Sequence, residues 1–495
     1  MKNILEFLEK CNNKNNIAII EEEKKCTYGE LIEKSMRVGT SLIKYNNINT
    51  PIPIFMEKSI NTLCTFFGVV YAGCCYSLIN PELPKDRLKA IIQVLESKYI
   101  ITDEEHYETA KKYFDNVQIL LIENLLKEQI NSEELIKVRE KMIDTDPLYI
   151  NFTSGSTGIP KGVVINHQTT INFISEFTKK FEINSKDIIG NQAPWDFDVS
   201  VKDIYSSIST GATMVIIPKR LFSRPAELLD YLCNNKITTL IWAVSALCLI
   251  TTFHGLDYKI PKDINKIMFS GEVMPIKHVS QWIEKLPDAK YVNLYGPTEI
   301  TCNCTYHIVN KKKVYEKSIP IGKSFNNESV FLLDDSNKEI KNCNETGEIC
   351  VRGSTLALGY YNNLEQTNKS FIQNPLNNKY NEIIYKTGDL GYYDENKDLN
   401  FAGRKDFQIK HLGHRVELEE IERAMETLKN VERACCTYNQ DKGKIIGFYV
   451  GSIDSRDLKL NLKNKLPTYM IPNVLKQIDK FPLNKNGKIN RKKLC

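Results

Sequence analysis

The chain has 495 residues, more than one compact core accommodates, so two or three domains are expected. Apolar residues make up 42% and charged residues 26%, which excludes a disordered or fibrous chain. A net charge of +5 from 66 basic and 61 acidic residues is too dilute over this length to argue for nucleic acid or an anionic membrane as partner.

The N-terminal stretch MKNILEFLEK has apolar residues at helical spacing and no signal-peptide pattern. The apolar run Leu63–Ile79 is interrupted by Gly68, Gly73 and polar residues. It reads as a buried helix entering a buried strand, without membrane insertion. Short β-branched runs follow at 147–152 (PLYINF), 213–218 (TMVIIP), 238–244 (TTLIWAV) and 266–271 (KIMFSG), separated by helix-length segments. That alternation predicts an α/β fold with layered, mostly parallel sheets. Near Gly403 the pattern changes to short strand-like pieces and then a helix with Leu418, Ile421, Met425 and Leu428 on one face. The expected organisation is a large core domain over 1–403 and a small, mobile α+β lid over 404–495. The fourteen cysteines contain no C-x-x-C pair, so they read as reduced thiols of a cytoplasmic protein rather than zinc ligands or disulfides.

The segment TSGSTGIPKG (153–162) lies between two apolar strand-like runs. Its residues Thr153, Ser154, Gly155, Ser156, Thr157 and Gly158 combine backbone N–H groups that can approach an anion with hydroxyl donors. Lys161 adds a positive charge suited to a β- or γ-phosphate. A Walker A loop has its lysine directly after glycine and opens a helix; here Lys161 follows Gly158 by three residues and a strand comes next. The competing reading is a Gly/Ser-rich hairpin turn.

TSGSTGIPKG resembles the signature loop of the adenylate-forming superfamily, which includes acyl-CoA synthetases, luciferases and peptide-synthetase adenylation domains. The stretches 26–42 and 71–88 resemble the two early motifs of that superfamily. NLYGPTEIT (293–301), YKTGDLGYY (385–393), GRKDFQIKHLGHRVELEEIE (403–422) and NKNGKIN (484–490) then follow in the expected order. The resemblance implies that a carboxylate attacks the α-phosphorus of ATP and expels pyrophosphate. Such chemistry rests on positioning and charge neutralisation.

By resemblance, Tyr295 lies against adenine, Thr298 meets the α-phosphate and Glu299 is a ligand of Mg²⁺. Asn293, Gly271 and Glu272 border the adenine. Asp389 accepts the ribose hydroxyls, although Gly388-Asp389 also reads as a tight turn, and Arg404 contacts the nucleotide. Lys488 matches the lysine that reaches the attacking carboxylate and phosphate. Asp406 matches a hinge about which the small domain turns between adenylation and thioester formation, and Lys410 and Gly413 belong to the face that enters the site in the second state.

Asp198, in APWDFDVS (193–200), matches the aspartate that amino-acid-activating members use for the substrate ammonium; otherwise it caps the following helix. The matching pocket positions are Asp198, Val199, Lys202, Ser245, Met268, Ser270, Leu294, Cys302 and Asn303, with Lys202 directed either into the pocket or into solvent. The nearest branch resembles stand-alone D-alanine–carrier-protein ligases. It implies a small amino acid as substrate, ATP and Mg²⁺ as cofactors, and the phosphopantetheine thiol of a separate carrier protein as acceptor. Ser270, Leu294, Cys302 and Asn303 depart from the D-alanine pattern, so the candidates are D-alanine, a small polar amino acid such as serine, and a substrate with a second acid group facing Lys202. The alternatives are an acyl- or aryl-CoA ligase and a catalytically silent nucleotide-binding regulator.

Overall fold

A computed structural model describes residues 1–45, 48–155, 159–316, 318–440, 442–482 and 489–494. The β-branched runs form the centres of two large sheets. In the seven-stranded sheet, Pro147–Thr153, Cys75–Leu78, Pro51–Phe55, Tyr99–Thr102 and Gln118–Leu121 run parallel in that spatial order. Lys161–Asn166 joins Pro147–Thr153 antiparallel, which places the glycine- and hydroxyl-rich loop at a hairpin bend. The nine-stranded sheet has six parallel strands, from Lys290–Tyr295 through Lys266–Ser270, Thr239–Ala243, Ile188–Asn191 and Thr213–Ile216 to Ile17–Glu21. Strands buried on both faces read as continuous apolar runs, and these do.

One hydrophobic cluster joins the two sheets. Phe66 stacks on Tyr76 with centroids 4.2 Å apart, and the Tyr76 and Tyr205 hydroxyls are hydrogen-bonded at 2.6 Å. Each such aromatic contributes ~1.5–3 kcal/mol by leaving water. The helices Tyr28–Ile43 and Ile60–Tyr71 approach so closely that a Cβ on Gly68 would sit 2.4 Å from Val38 Cγ1. The run Leu63–Ile79 is therefore a buried helix followed by the buried strand Cys75–Leu78, as expected. Among the described residues, no helix is long and apolar enough to cross a membrane, and every cysteine is a free thiol.

An antiparallel six-stranded sheet follows, built around Gly347–Gly353 and Ile383–Tyr393. Beyond it come the hairpin Gln408–His411 with His414–Glu417, the helix Leu418–Glu426, and a three-stranded sheet of Val431–Asn439, Lys444–Gly451 and Val474–Gln477. These later elements pack around their own cluster, which includes Val416, Ile421, Met425, Tyr449 and Leu458. The fold is thus α/β with large, largely parallel sheets and a small α+β C-terminal part.

Candidate active site

The C-terminal ends of parallel strands are where open α/β sheets bind ligands. Here Ser270 ends one strand and Tyr295 the next. They open on a cavity lined from the nine-stranded sheet by Ser270, Gly271, Thr298, Cys302 and Asn303, and from the C-terminal hairpin by Lys410, Gly413 and Arg415. Thr153, Ser154, Asp198, Val199, Asp389 and Arg404 complete the wall. One cavity therefore gathers residues expected to bind nucleotide with residues expected to bind substrate.

At the edge of the glycine- and hydroxyl-rich loop, Thr153 Oγ1 is buried and has no hydrogen-bond partner among the described residues. An orphaned donor there suits an anion that it would meet. Ser154 donates to the Arg415 carbonyl at 2.9 Å. A Cβ on Gly155 would lie 2.1 Å from the Ile159 carbonyl oxygen, so only glycine fits that bend. Lys161 lies 5.8 Å from the Tyr360 ring centroid. Burial and the nearby Arg415 charge hold its pKa below the usual lysine range. Ser156, Thr157 and Gly158 lie outside the described residues, as does Lys488.

Tyr295 donates to one oxygen of the buried Asp389 at 2.6 Å, and Arg404 Nη1 donates to the other at 2.6 Å. A carboxylate has lone pairs for further donors, so Asp389 retains acceptor capacity toward diol hydroxyls. The other face of the Arg404 guanidinium grips Asp406 through Nε and Nη2, at 2.6 and 2.7 Å. Burial would raise the Asp406 carboxyl, but the Arg404 hydrogen bonds and charge outweigh it and hold the pKa down. Lys410 Nζ sits 5.6 Å from the Tyr295 ring centroid, so the ring expected to face adenine meets an ammonium here. Asn293 donates its amide to the carbonyls of Ile319 and Pro320.

Glu299 is 0% exposed and accepts from Tyr360 at 2.7 Å and from Arg415 at 2.8 and 2.9 Å. Burial raises its pKa, but the Arg415 charge and the Tyr360 hydroxyl prevail and leave it below the ordinary glutamate value. The expected Mg²⁺ ligand is thus committed to a guanidinium. In this arrangement its oxygens do not fit a metal ion, and a metal there requires Arg415 to withdraw.

Asp198 precedes the helix Ser200–Thr210, whose N-cap is Val199 with no side-chain cap. Its carboxyl does not cap the helix. Burial raises the Asp198 pKa more than the nearby Thr298 hydroxyl and the charges of Lys202 and Lys410 lower it. Lys202 does not reach solvent. It is 0% exposed, and its ammonium donates to Asn303 Oδ1 at 2.7 Å and Ser270 Oγ at 3.3 Å. Lys202 therefore stands behind the lining residues Ser270 and Asn303. Met268 and Leu294, expected in the pocket wall, are buried in the main hydrophobic cluster, to which the lining residue Cys302 also belongs. Ser245 opens a neighbouring helix, where its backbone supports Glu272.

The hairpin docks through Gly413 N–H, which donates to Glu272 at 3.0 Å. His414 stacks on Tyr469 at 3.6 Å and meets the Phe197 ring edge-on at 4.3 Å. Arg87, another lining residue, pairs with Glu420. Arg415, Tyr360, Arg87 and Tyr469 are absent from the sequence-based site. Only Arg415 carried a signal, as a cation in the same short segment as Lys410 and Gly413.

The family model described as "AMP-binding enzyme" matches residues 8–361. Gramicidin S synthase 1 of Brevibacillus brevis is 32% identical over 97% of this chain, which spans only 43% of that protein. Zwittermicin A synthase ZmaJ of Bacillus cereus is 31% identical, with 97% of this chain and 91% of that protein covered. The solved Vibrio cholerae adenylation domain AlmE, in complex with glycyl-adenosine-5'-phosphate, shares the fold at a TM-score of 0.84 and 21% identity, over 99% of this chain and 96% of its own. The chain spans less than half the length of several of its curated relatives. The family match covers well over half of the sequence and includes the loop, Asp198 and Glu299. This chain belongs to the AMP-binding enzyme family.

Proposed function

We propose that the protein uses ATP to activate a small amino acid as its aminoacyl-adenylate, releasing pyrophosphate, and then passes the aminoacyl group to the phosphopantetheine thiol of a separate carrier protein. The observation that carries this reading is the convergence of Asp198, Thr298, Asp389, Arg404 and Lys410 on one cavity. Asp198 holds the substrate ammonium, a pairing that a carboxylate in a half-buried wall favours. Asp389 accepts the ribose hydroxyls and Arg404 steadies it. Thr153, Ser154 and Lys161 meet the phosphates, and Lys488 supplies charge to the reacting carboxylate and α-phosphate. Once Arg415 is withdrawn, Glu299 would hold Mg²⁺, which would supply charge neutralisation to the phosphates.

In this reading residues 404–495 move as a lid about Asp406. Their separate hydrophobic cluster supports a unit that can turn without repacking the large sheets. The close approach of Lys410, Gly413 and Arg415 to the cavity fits the thioester-forming orientation. ATP–pyrophosphate exchange across D- and L-amino acids, aryl acids and fatty acids tests the proposal. Exchange with amino acids alone is expected, and exchange confined to aryl or fatty acids overturns it.

A further inference from the structure

A lysine ammonium has three donors and no acceptor. Whatever touches Lys202 Nζ must therefore present a lone pair. Asn303 presents Oδ1 at 2.7 Å and Ser270 presents Oγ at 3.3 Å. This contact fixes the orientation of both neighbours. With its oxygen turned to Lys202, and also accepting from Cys302 Sγ at 3.5 Å, Asn303 keeps its two amide N–H donors free of any partner among the described residues. Ser270 accepts from Lys202 and likewise keeps its own O–H to give. Both residues line the cavity.

The buried charge reinforces this polarity. Lys202 is 0% exposed and forms no ion pair among the described residues. Its neighbour Asp203 instead accepts from Asn191 at 2.6 Å. The Lys202 charge is felt by Asp198 and Asp203, but its hydrogen bonds go to the neutral Ser270 and Asn303, which are polarised by it.

We infer that the buried Lys202 ammonium turns Ser270 and Asn303 into hydrogen-bond donors toward the substrate, so the pocket selects an amino acid whose side chain ends in an oxygen acceptor, a hydroxyl or a carboxylate. This rests on the amino-acid activation proposed above and names its substrate class. An apolar side chain leaves the amide and hydroxyl donors unpaired in a closed site, and an ammonium side chain meets donors and a like charge. Sites built to bond a substrate group reject analogues lacking it strongly, by factors of about 10⁴ in favourable cases.

The test is ATP–pyrophosphate exchange with the full chain and both enantiomers of serine, aspartate, alanine, 2-aminobutyrate and 2,3-diaminopropionate. An oxygen-ended side chain is expected to lead its oxygen-free analogues by at least about 100-fold in kcat/KM. Alanine, 2-aminobutyrate or diaminopropionate in the lead overturns this inference and leaves amino-acid activation standing. No exchange with any amino acid overturns both. Asn303→Ala, checked for folding by retained ATP binding, is expected to compress the preference to less than about tenfold. An unchanged preference in that variant also overturns the inference.

Discussion

Both carboxylate oxygens of Glu299 lie against one nitrogen of Arg415, at 2.8 and 2.9 Å, across 116 residues of sequence. The carboxylate belongs to the large-sheet part and the guanidinium to the C-terminal hairpin. Their pairing neutralises a buried charge and fastens the two parts together, because an unpaired charge at that depth is strongly unfavourable.

Arg415→Met leaves Glu299 without its counter-charge in this orientation, at a cost of about 3–5 kcal/mol. In the thioester-forming orientation proposed above, transfer to the carrier thiol is expected to fall at least about tenfold more than pyrophosphate exchange does. Single-turnover transfer and exchange rates measured side by side check this. Equal losses in both would show that the pair serves stability alone.

Lys488→Ala is expected to leave ATP binding detectable and to reduce pyrophosphate exchange by at least about 100-fold, because the lost charge serves the transition state rather than the ground state. Calorimetric ATP titration and exchange kinetics separate the two effects. Unchanged exchange refutes the role given to this lysine.

Asp198 must be ionised to hold an ammonium, and burial raises its pKa. Apparent affinity for the amino acid therefore declines as pH falls through that raised pKa, at higher pH than an exposed aspartate would impose. Asp198→Asn is expected to raise the amino-acid KM about 10- to 100-fold, equivalent to ~1.4–2.7 kcal/mol, and to flatten the acid limb of the profile. A retained acid limb in the variant would assign it to another group.

His167 is fully buried and accepts the Ile4 N–H on Nδ1, and its Nε2 has no partner among the described residues. Burial, helped by the Arg139 charge, lowers its pKa to about 3. The unfolded chain binds the proton near pH 6.5, so this histidine's contribution to stability is lost as pH falls below that value. Between pH 7 and 5 the loss is ~2 kcal/mol. Urea unfolding of wild type and His167→Leu should accordingly show their stability difference shifting by about that amount in the variant's favour over this range. A pH-independent difference would mean that His167 protonates freely in the folded protein.

Much of the architecture was legible in the sequence, because buried parallel strands must be apolar along their whole length. The runs at 147–152, 213–218, 238–244 and 266–271 correspond to the strands Pro147–Thr153, Thr213–Ile216, Thr239–Ala243 and Lys266–Ser270. Leu428 marks a limit of the same method: the helix ends at Glu426, and Leu428 packs against the small cluster from the turn beyond it. Thr298, Asp389 and Arg404, singled out from ordered motifs, come to line one cavity. Closely spaced residues share a local backbone geometry, so they reach a site together.

What the sequence by itself determined was the α/β layering and the family's ordered motifs, both set by local pattern. Tertiary structure alone decided that Lys202 is buried against Asn303 and Ser270, and that Arg415 takes the oxygens of Glu299. Each of those depends on which face a side chain presents and on what a distant strand or hairpin brings opposite it. Neither quantity has a period or spacing along the chain from which it could be read.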